Sequence, residues 1–296
     1  MSIGVEFATR EGRLRALLRL LSSIRFDEVL VLQGTPMLGA VFSIGHLTGA
    51  KSLALAFFFA SSFCLTAHVF AINDWSGMDG DSRDSNRFAR IGVNGTELFL
   101  LWIALLGISL LLFSHFGSPT LLIAVAIAVL SALYSFPAPH MKGVPLLSSA
   151  LHLIGGLLHF LLGYSVFCPV DRRSLEIGCF FGIMFAAGHL THEARDHDAD
   201  RRNGIFTNAV TFGQLNSFVA GFALFTIANV WLVVLAVRGI VPQPLMIVGV
   251  AYAVYLGSWL RTLRAGLSYQ NIRRLQVRYR IVYASVGLLI VISLIR

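Results

Sequence analysis

Apolar segments of membrane-spanning length alternate with short polar segments along most of the chain. A helix rises about 1.5 Å per residue, so about 20 apolar residues cross the hydrocarbon core of a bilayer. Nine segments fit this length: 29–48, 52–72, 97–114, 118–136, 146–167, 174–192, 215–237, 243–262 and 278–295. The pattern predicts an all-α multi-pass membrane protein in which residues 1–296 form a single transmembrane domain with about nine spans.

The first 27 residues follow a different pattern from the spans. Four leucines recur there at helical intervals between arginines: Leu14, Leu17, Leu18 and Leu21. Such spacing is typical of an amphipathic helix that lies at the headgroup boundary of a bilayer. We therefore expect an interfacial basic helix over residues 1–27, before the first span.

Composition and charge agree with a membrane protein and indicate its orientation. The chain is 56% hydrophobic and only 13% charged, which excludes an ordinary soluble domain. If the N-terminus lies in the cytoplasm and the nine spans cross the membrane in turn, 18 of the 23 basic residues fall on the cytoplasmic side. This asymmetry follows the positive-inside rule and predicts a cytoplasmic N-terminus. The net charge of +8 does not indicate nucleic acid, because the cations flank membrane spans.

The polar segments that follow spans 2, 4, 6 and 8 all fall on the predicted cytoplasmic side. Asp74 and Lys142 are 68 residues apart in the first half, and Asp196 and Arg264 are 68 apart in the second. The equal spacing predicts two related four-helix halves with a site between them. Coincidence is the alternative, because bilayer thickness alone makes helices similar in length.

Acidic residues are concentrated in the first and third of these segments. Asp196 and Asp200 are four residues apart, which places both carboxylates on one face of a helix that continues span 6. The first segment adds Asn73, Asp74, Asp79, Asp81 and Asp84. Carboxylate and amide oxygens suit Mg²⁺, which keeps some water ligands and often bridges to phosphate.

Cations accompany the acids in the same segments: Arg83, Arg87, Lys142, Arg195, Arg201 and Arg202. Their density suits a polyanionic ligand. The combination predicts a magnesium–diphosphate site at the cytoplasmic face, and its alternative is a solvated charged loop with local ion pairs. A diphosphate head above apolar helices implies a ligand with an apolar tail, and an isoprenyl diphosphate fits this description.

Three stretches resemble the UbiA-type intramembrane prenyltransferases, and the likeness extends over almost the whole chain. The third polar segment resembles the family's second aspartate motif, from Asp196 and Asp200 through Gly204 to Gly213. The second segment, "YSFPAPHMKG", is similar to the family's Tyr-Ser-x-Pro…Lys-Gly stretch, with His140 where arginine is common. The first segment resembles the family's Asn-Asp-x₂-Asp-x₃-Asp signature, but Gly77 stands at the middle aspartate.

The resemblance implies a nine-helix fold whose active site opens toward the cytoplasmic loops. It implies catalytic aspartates at Asp74, Asp81, Asp196 and Asp200, which with Asn73 would bind Mg²⁺. Asp79 or Asp84 could replace the aspartate missing at Gly77. The expected diphosphate-binding residues are Asn73, Arg87, Tyr134, Lys142 and Arg201. The implied reaction is transfer of a prenyl group to a small acceptor, with an aromatic ring as the expected nucleophile.

Two other functions remain open from the sequence. A terpene cyclase of the same family is one, because an altered aspartate motif changes how the diphosphate is held. A non-catalytic carrier of prenyl lipids is the other, although the short outer segments favour an enzyme over alternating access. The stretch "HLTHE", with His189, His192 and Glu193, has transition-metal spacing, but it lacks clear further ligands and favours a polar cavity lining.

Overall fold

The computed structural model describes residues 18–78, 93–136, 138 and 141–294, and the regular elements in these ranges are helices. Three short 3₁₀ turns, Ser114–Phe116, Met141–Gly143 and Gln243–Ile247, accompany the α-helices. The α-helices are α1 Phe26–Leu32, α2 Gly34–Ile44, α3 Gly49–Gly77, α4 Gly95–Phe113, α5 Ser118–Ser135, α6 Leu147–Tyr164, α7 Arg172–Arg202, α8 Asn208–Phe212, α9 Gln214–Val237, α10 Val248–Ala265 and α11 Tyr269–Leu294.

Eight of the described helices are long and apolar enough to cross a membrane: α3, α4, α5, α6, α7, α9, α10 and α11. Large apolar side chains such as Leu100, Leu111 and Leu122 are exposed on them, which suits contact with lipid. In the first predicted half, the second span, α3, packs along the third span, α4. In the second half, the corresponding helices α7 and α9 pack together in the same way. The all-helical membrane fold predicted from the sequence is confirmed.

The first predicted span, 29–48, differs from the other eight because it is divided into α1 and α2 at Gln33. Pro36 lacks the N–H that would bond to the carbonyl of Leu32, so the helix is irregular there. The buried Gln33 side chain donates to Thr66 Oγ1 at 2.9 Å and Ser62 O at 3.4 Å on α3. These bonds use the side-chain N–H groups of Gln33 at the irregular turn, whereas its Oε1 has no hydrogen-bond partner among the described residues.

Helices α3 and α7 continue past the predicted span ends at 72 and 192. Asn73 and Asp74 therefore lie in the last turns of α3, and Asp196 and Asp200 lie on α7. Helix α7 begins with a capping box in which Asp171 accepts a hydrogen bond from the Ser174 backbone at 2.7 Å. This bond keeps the pKa of Asp171 below its usual range, because it stabilises the charged carboxylate.

Glycines let α6 lie unusually close to α2 on one side and to α7 on the other. An ideal Cβ at Gly163 would be 1.8 Å from Pro36 O, and one at Gly39 would be 2.0 Å from Phe160 O. A Cβ at Gly182 would be 2.6 Å from Leu153 O. Small residues commonly allow such backbone contact between membrane helices. The close packing fixes α6 against α7, and both helices carry candidate site residues.

We predict that Gly163→Ala destabilises the folded protein in detergent by about 1–3 kcal/mol, because the added methyl group would overlap the α2 backbone. Thermal unfolding of the purified protein measures the effect. Gly107→Ala is the matched control, since an ideal Cβ at Gly107 meets no atom within 4 Å. Equal unfolding temperatures for Gly163→Ala and the wild type would contradict the close packing of α2 and α6.

Candidate active site at the ends of helices α3 and α7

Asp74 is bound by an arginine that precedes the first helix. The Asp74 side chain is only 6% exposed, and both of its oxygens accept from the Arg25 guanidinium. The Arg25 Nε–Asp74 Oδ2 distance is 3.0 Å, and Nη2 donates to Oδ1. Glu28 Oε2 lies 3.3 Å from Arg25 Nη1. The carboxylate is thus neutralised by a residue 49 positions earlier in the chain.

Four ionisable residues form a polar stripe along one face of α7: His189, Glu193, Asp196 and Asp200. At 100° per residue, their spacing of four, three and four confines them to about 60° of the helix circumference. Asp198 lies on the opposite face, where its side chain is 81% exposed and paired with His197 at 2.9 Å. The stripe therefore leads from the interior of the bundle to the polar end of α7.

Asp196 is paired with its neighbour Arg195 through two hydrogen bonds. Arg195 Nε donates to Oδ1 at 2.7 Å, and Nη2 donates to Oδ2 at 2.6 Å. The remaining Nη1 donates to Gln276 Oε1 on α11 at 2.8 Å, while the guanidinium carbon lies 5.4 Å from the Tyr269 ring centroid. These contacts fix the orientation of Arg195 and tie the end of α7 to α11.

Lys142 is a cation whose charge influences both acidic helix ends. It lies in the 3₁₀ turn Met141–Gly143 between α5 and α6, and its charge acts on both Asp74 and Asp200. Asp200 also interacts with Asp196, Glu193 and the Thr207 side chain. The ends of α3 and α7 and the α5–α6 connection therefore converge on one polar site.

A second group of polar residues lies on the membrane side of this site. The His152 ring on α6 stacks on the His189 ring on α7, with centroids 3.7 Å apart, and Tyr134 on α5 lies 5.0 Å from His152. Glu193 accepts from Asn208 N at 3.1 Å, Asn208 Nδ2 at 2.8 Å and Ser148 Oγ at 3.3 Å. This network joins the start of α8 to α6 and α7.

Among the residues that the structure describes, no three histidine, cysteine, aspartate or glutamate side chains are grouped so as to hold a metal ion by themselves. The histidine pair and Glu193 contact polar and aromatic neighbours, which is typical of a polar lining. The described part of the polar site offers carboxylate oxygens from Asp74, Asp196 and Asp200. The charge of Lys142 acts on Asp74 and Asp200. Hard oxygen donors beside cations fit Mg²⁺ that is held together with a diphosphate.

The other predicted site residues are less closely associated. Asn73 is half-buried beside Asp74, and Arg201 is exposed in the last turn of α7. Gly77 ends α3. Four further predicted residues lie outside the described ranges: Asp79, Asp81, Asp84 and Arg87.

Sequence reasoning missed two partners of the acidic residues. Arg25 is one of the basic residues that the sequence indicates only as determinants of orientation, and its distance along the chain gives no local signal of contact with Asp74. Asn208 was missed because it lies in the stretch from Asp196 to Gly213 that resembles the second aspartate motif, and that motif gives it no separate role. The stretch "HLTHE" did identify His189 and Glu193 as polar groups in the bundle, but not their partner His152.

The sequence profile of the UbiA prenyltransferase family matches residues 34–276. Solved structures share the fold: UbiA homologues from Archaeoglobus fulgidus bound to DMAPP and Mg²⁺ or to GPP and Mg²⁺ have TM-scores of 0.68 and 0.69, each at 17% identity. Both alignments cover 93% of this chain and 98% of the homologue.

A structure of digeranylgeranylglyceryl phosphate synthase has a TM-score of 0.72 at 16% identity, covering 94% of this chain and 98% of the other. No curated protein sequence gives a significant match. The structural matches support the fold, and the profile match extends over most of the chain. The chain belongs to the UbiA prenyltransferase family.

Proposed function

We propose that the protein transfers the prenyl group of an isoprenyl diphosphate to a small acceptor in a Mg²⁺-dependent reaction at the cytoplasmic membrane face. The observation that carries this proposal is that the charge of Lys142 acts on both Asp74 and Asp200, at the ends of α3 and α7. Family membership supports prenyl transfer. Related structures are described with DMAPP or GPP and Mg²⁺, which supports this choice of ligand and metal.

In this proposal the site residues serve to bind metal or diphosphate. Asn73, Asp74, Asp196 and Asp200 would hold Mg²⁺, and so would Asp81, with Asp79 or Asp84 as possible substitutes; Asp79, Asp81 and Asp84 lie outside the described ranges. When bound, Mg²⁺ supplies positive charge that stabilises the departing diphosphate. Lys142 binds the same anion from the α5–α6 side, and the further diphosphate ligands are Asn73, Arg87, Tyr134 and Arg201.

Arg25 and Arg195 keep the carboxylates oriented before the ligand arrives. A carboxylate with little solvent contact is costly unless it is paired, and each guanidinium satisfies both oxygens of its partner. The same side chains stand beside the metal site and add positive charge around the diphosphate. The two arginines therefore offset the negative charge of the carboxylates in the ligand-free site. Mg²⁺ can then replace an arginine as the partner of a carboxylate.

The acceptor is a small molecule, and an aromatic ring is the expected nucleophile. Attack on the allylic carbon is favoured when the C–O bond ionises, because the charge is delocalised over the allylic system. A terpene cyclase remains the second candidate, since Gly77 replaces an aspartate of the first motif. Diphosphate release with a cyclic hydrocarbon product and no labelled acceptor would select the cyclase.

We predict that Asp74→Asn, Asp196→Asn and Asp200→Asn each lower turnover by at least about 100-fold, the effect of losing a main electrostatic stabiliser. Purified protein is incubated with Mg²⁺, labelled isoprenyl diphosphates of several lengths and a small-molecule extract. Diphosphate release and labelled products are measured. Excess EDTA should abolish turnover, and added Mg²⁺ should restore it.

Asp198→Asn is the matched control for these three variants, because Asp198 lies on the opposite, exposed face of α7. It should keep wild-type turnover. Full activity in EDTA would exclude the metal–diphosphate site. Wild-type turnover in both Asp74→Asn and Asp196→Asn would show that these helix ends are not catalytic, and binding without any release of diphosphate would favour a carrier.

We predict that Arg25→Gln increases the thermal stabilisation that Mg²⁺ gives to the ligand-free protein. The substitution removes the cation that competes with the metal for Asp74. A tenfold gain in Mg²⁺ affinity would add about 1.4 kcal/mol at saturating metal. Unfolding is followed with and without Mg²⁺, with Arg19→Gln as the control for a loss of positive charge. Equal Mg²⁺ effects in Arg25→Gln and the wild type would contradict this competition.

We predict that single cysteines at Asn203 and Asn271 react with an impermeant thiol reagent only from the cytoplasmic side. Cysteines at Ser118 and Arg172 should react only from the opposite side, because they begin helices at the other ends of their spans. Labelling is compared in sealed vesicles of both orientations, in a background without the natural cysteines. Labelling of Asn203→Cys from outside would reverse the proposed orientation.

A further inference from the structure

The stacked imidazoles of His152 and His189 take no part in the proposed metal–diphosphate site. They form a pair 3.7 Å apart with an angle of 10° between the ring planes. His189 precedes Asp196 by seven residues on the same face of α7, which is about 10 Å along the helix toward the membrane interior. The pair therefore lies on the side of the site where the prenyl chain, rather than the diphosphate, would lie.

Hydrogen bonding determines which nitrogen of His152 can accept a proton. His152 Nδ1 lies 2.8 Å from Ser148 O, and a carbonyl oxygen can only accept, so Nδ1 carries the hydrogen. In the neutral ring, Nε2 then has the free lone pair. His152 is half-buried. These properties allow it to receive one proton.

Glu193 is placed to stabilise positive charge on the pair. Its Oε1 lies 3.0 Å from His189 Nε2, although the two groups are not aligned as a hydrogen bond. Asn208 holds the other oxygen through its backbone and side-chain N–H groups. A fixed carboxylate behind an imidazole favours the imidazolium, as in a Ser–His–Asp triad. Two imidazolium rings at 3.7 Å would repel strongly, so the pair of neutral rings can take up only one additional proton.

The remaining ionisable groups around the pair are less suited to this task. His192 lies one turn further along α7, where the positive charges of Arg195 and Arg280 act on it. Tyr134 presents its ring to His152 and feels the charges of Glu193 and Asp200. A neutral phenol already carries its proton, so Tyr134 is a poor proton acceptor.

We propose that the His152–His189 pair, with Glu193 behind it, accepts the proton that the acceptor loses when it takes up the prenyl group. This role rests on the proposed function. The allylic C–O bond breaks and its electron pair leaves with the diphosphate. The acceptor atom gives an electron pair to the allylic carbon, and the proton on that atom moves to His152 Nε2. His189 and Glu193 act as positioning residues that stabilise the resulting charge.

The ability of His152 to accept a proton in the site can be tested without knowing the acceptor, because the prenyl cation itself can lose one. Geranyl diphosphate and Mg²⁺ alone give an allylic cation that either loses a proton to form a conjugated hydrocarbon or takes up water to form an alcohol. We expect the wild type to form hydrocarbon, with the proton passing to His152. His152→Asn should lower the hydrocarbon-to-alcohol ratio by about 100-fold, the lower end of the contribution of a general base.

His159→Asn is the matched control on the same helix. His159 Nδ1 also lies 2.8 Å from a carbonyl, that of Gly155, but its ring lies against Phe185, away from the stacked pair. This variant should keep the wild-type ratio. Binding of geranyl S-thiolodiphosphate with Mg²⁺, which involves no proton transfer, should be unchanged in His152→Asn. Added imidazole should restore hydrocarbon formation in His152→Ala.

Three outcomes separate this inference from the proposed function. An unchanged product ratio in His152→Asn, or a wild type that forms only alcohol, overturns the proton-acceptor role. A wild type that releases no diphosphate, even with acceptor extract, overturns the proposed function itself. If His152→Asn no longer binds the thiolodiphosphate, His189→Asn takes its place as the test variant. The hydrocarbon-to-alcohol ratio should then fall in His189→Asn, and an unchanged ratio overturns the inference.

Discussion

Carboxylates at the ends of membrane helices need a positive or hydrogen-bonding partner, and the rest of the site depends on this constraint. An unpaired charge in an apolar environment is costly, so intramembrane acids are normally paired or functional. Arg25 satisfies Asp74, Arg195 satisfies Asp196, and Asn208 satisfies Glu193. Each pair also fixes the direction in which a carboxylate faces, and in the proposed function this orients the carboxylates for a metal-bound diphosphate.

The fold brings these pairs together through close helix packing. Glycines allow α6 to contact α2 and α7 at backbone distance, and this places His152 against His189. The α5–α6 connection places Lys142 where its charge acts on Asp74 and Asp200, at the ends of α3 and α7. In the proposed reaction, the polar ends bind the leaving group while the histidine pair, deeper in the bundle, receives the proton.

The membrane fold was predictable because span length and hydrophobicity are local properties. The spacing of Asp196 and Asp200 also predicted their shared helix face correctly, since a helical period needs no tertiary information. The division at Gln33 was missed because the apolar pattern continues through it, although Pro36 was visible. Contacts of Asp74 with Arg25 and of His152 with His189 depend on how distant helices pack, and no spacing in the sequence encodes them. Roles of the site residues therefore remain predictions.

The most direct measurement is pulsed electron paramagnetic resonance of Mn²⁺ bound in place of Mg²⁺ together with geranyl S-thiolodiphosphate. A single site built from α3 and α7 predicts coupling of Mn²⁺ to the phosphorus nuclei of the diphosphate. That coupling should be lost or greatly weakened in both Asp74→Asn and Asp196→Asn. Mn²⁺ signals without phosphorus coupling, or coupling that both variants leave intact, would contradict a shared metal–diphosphate site.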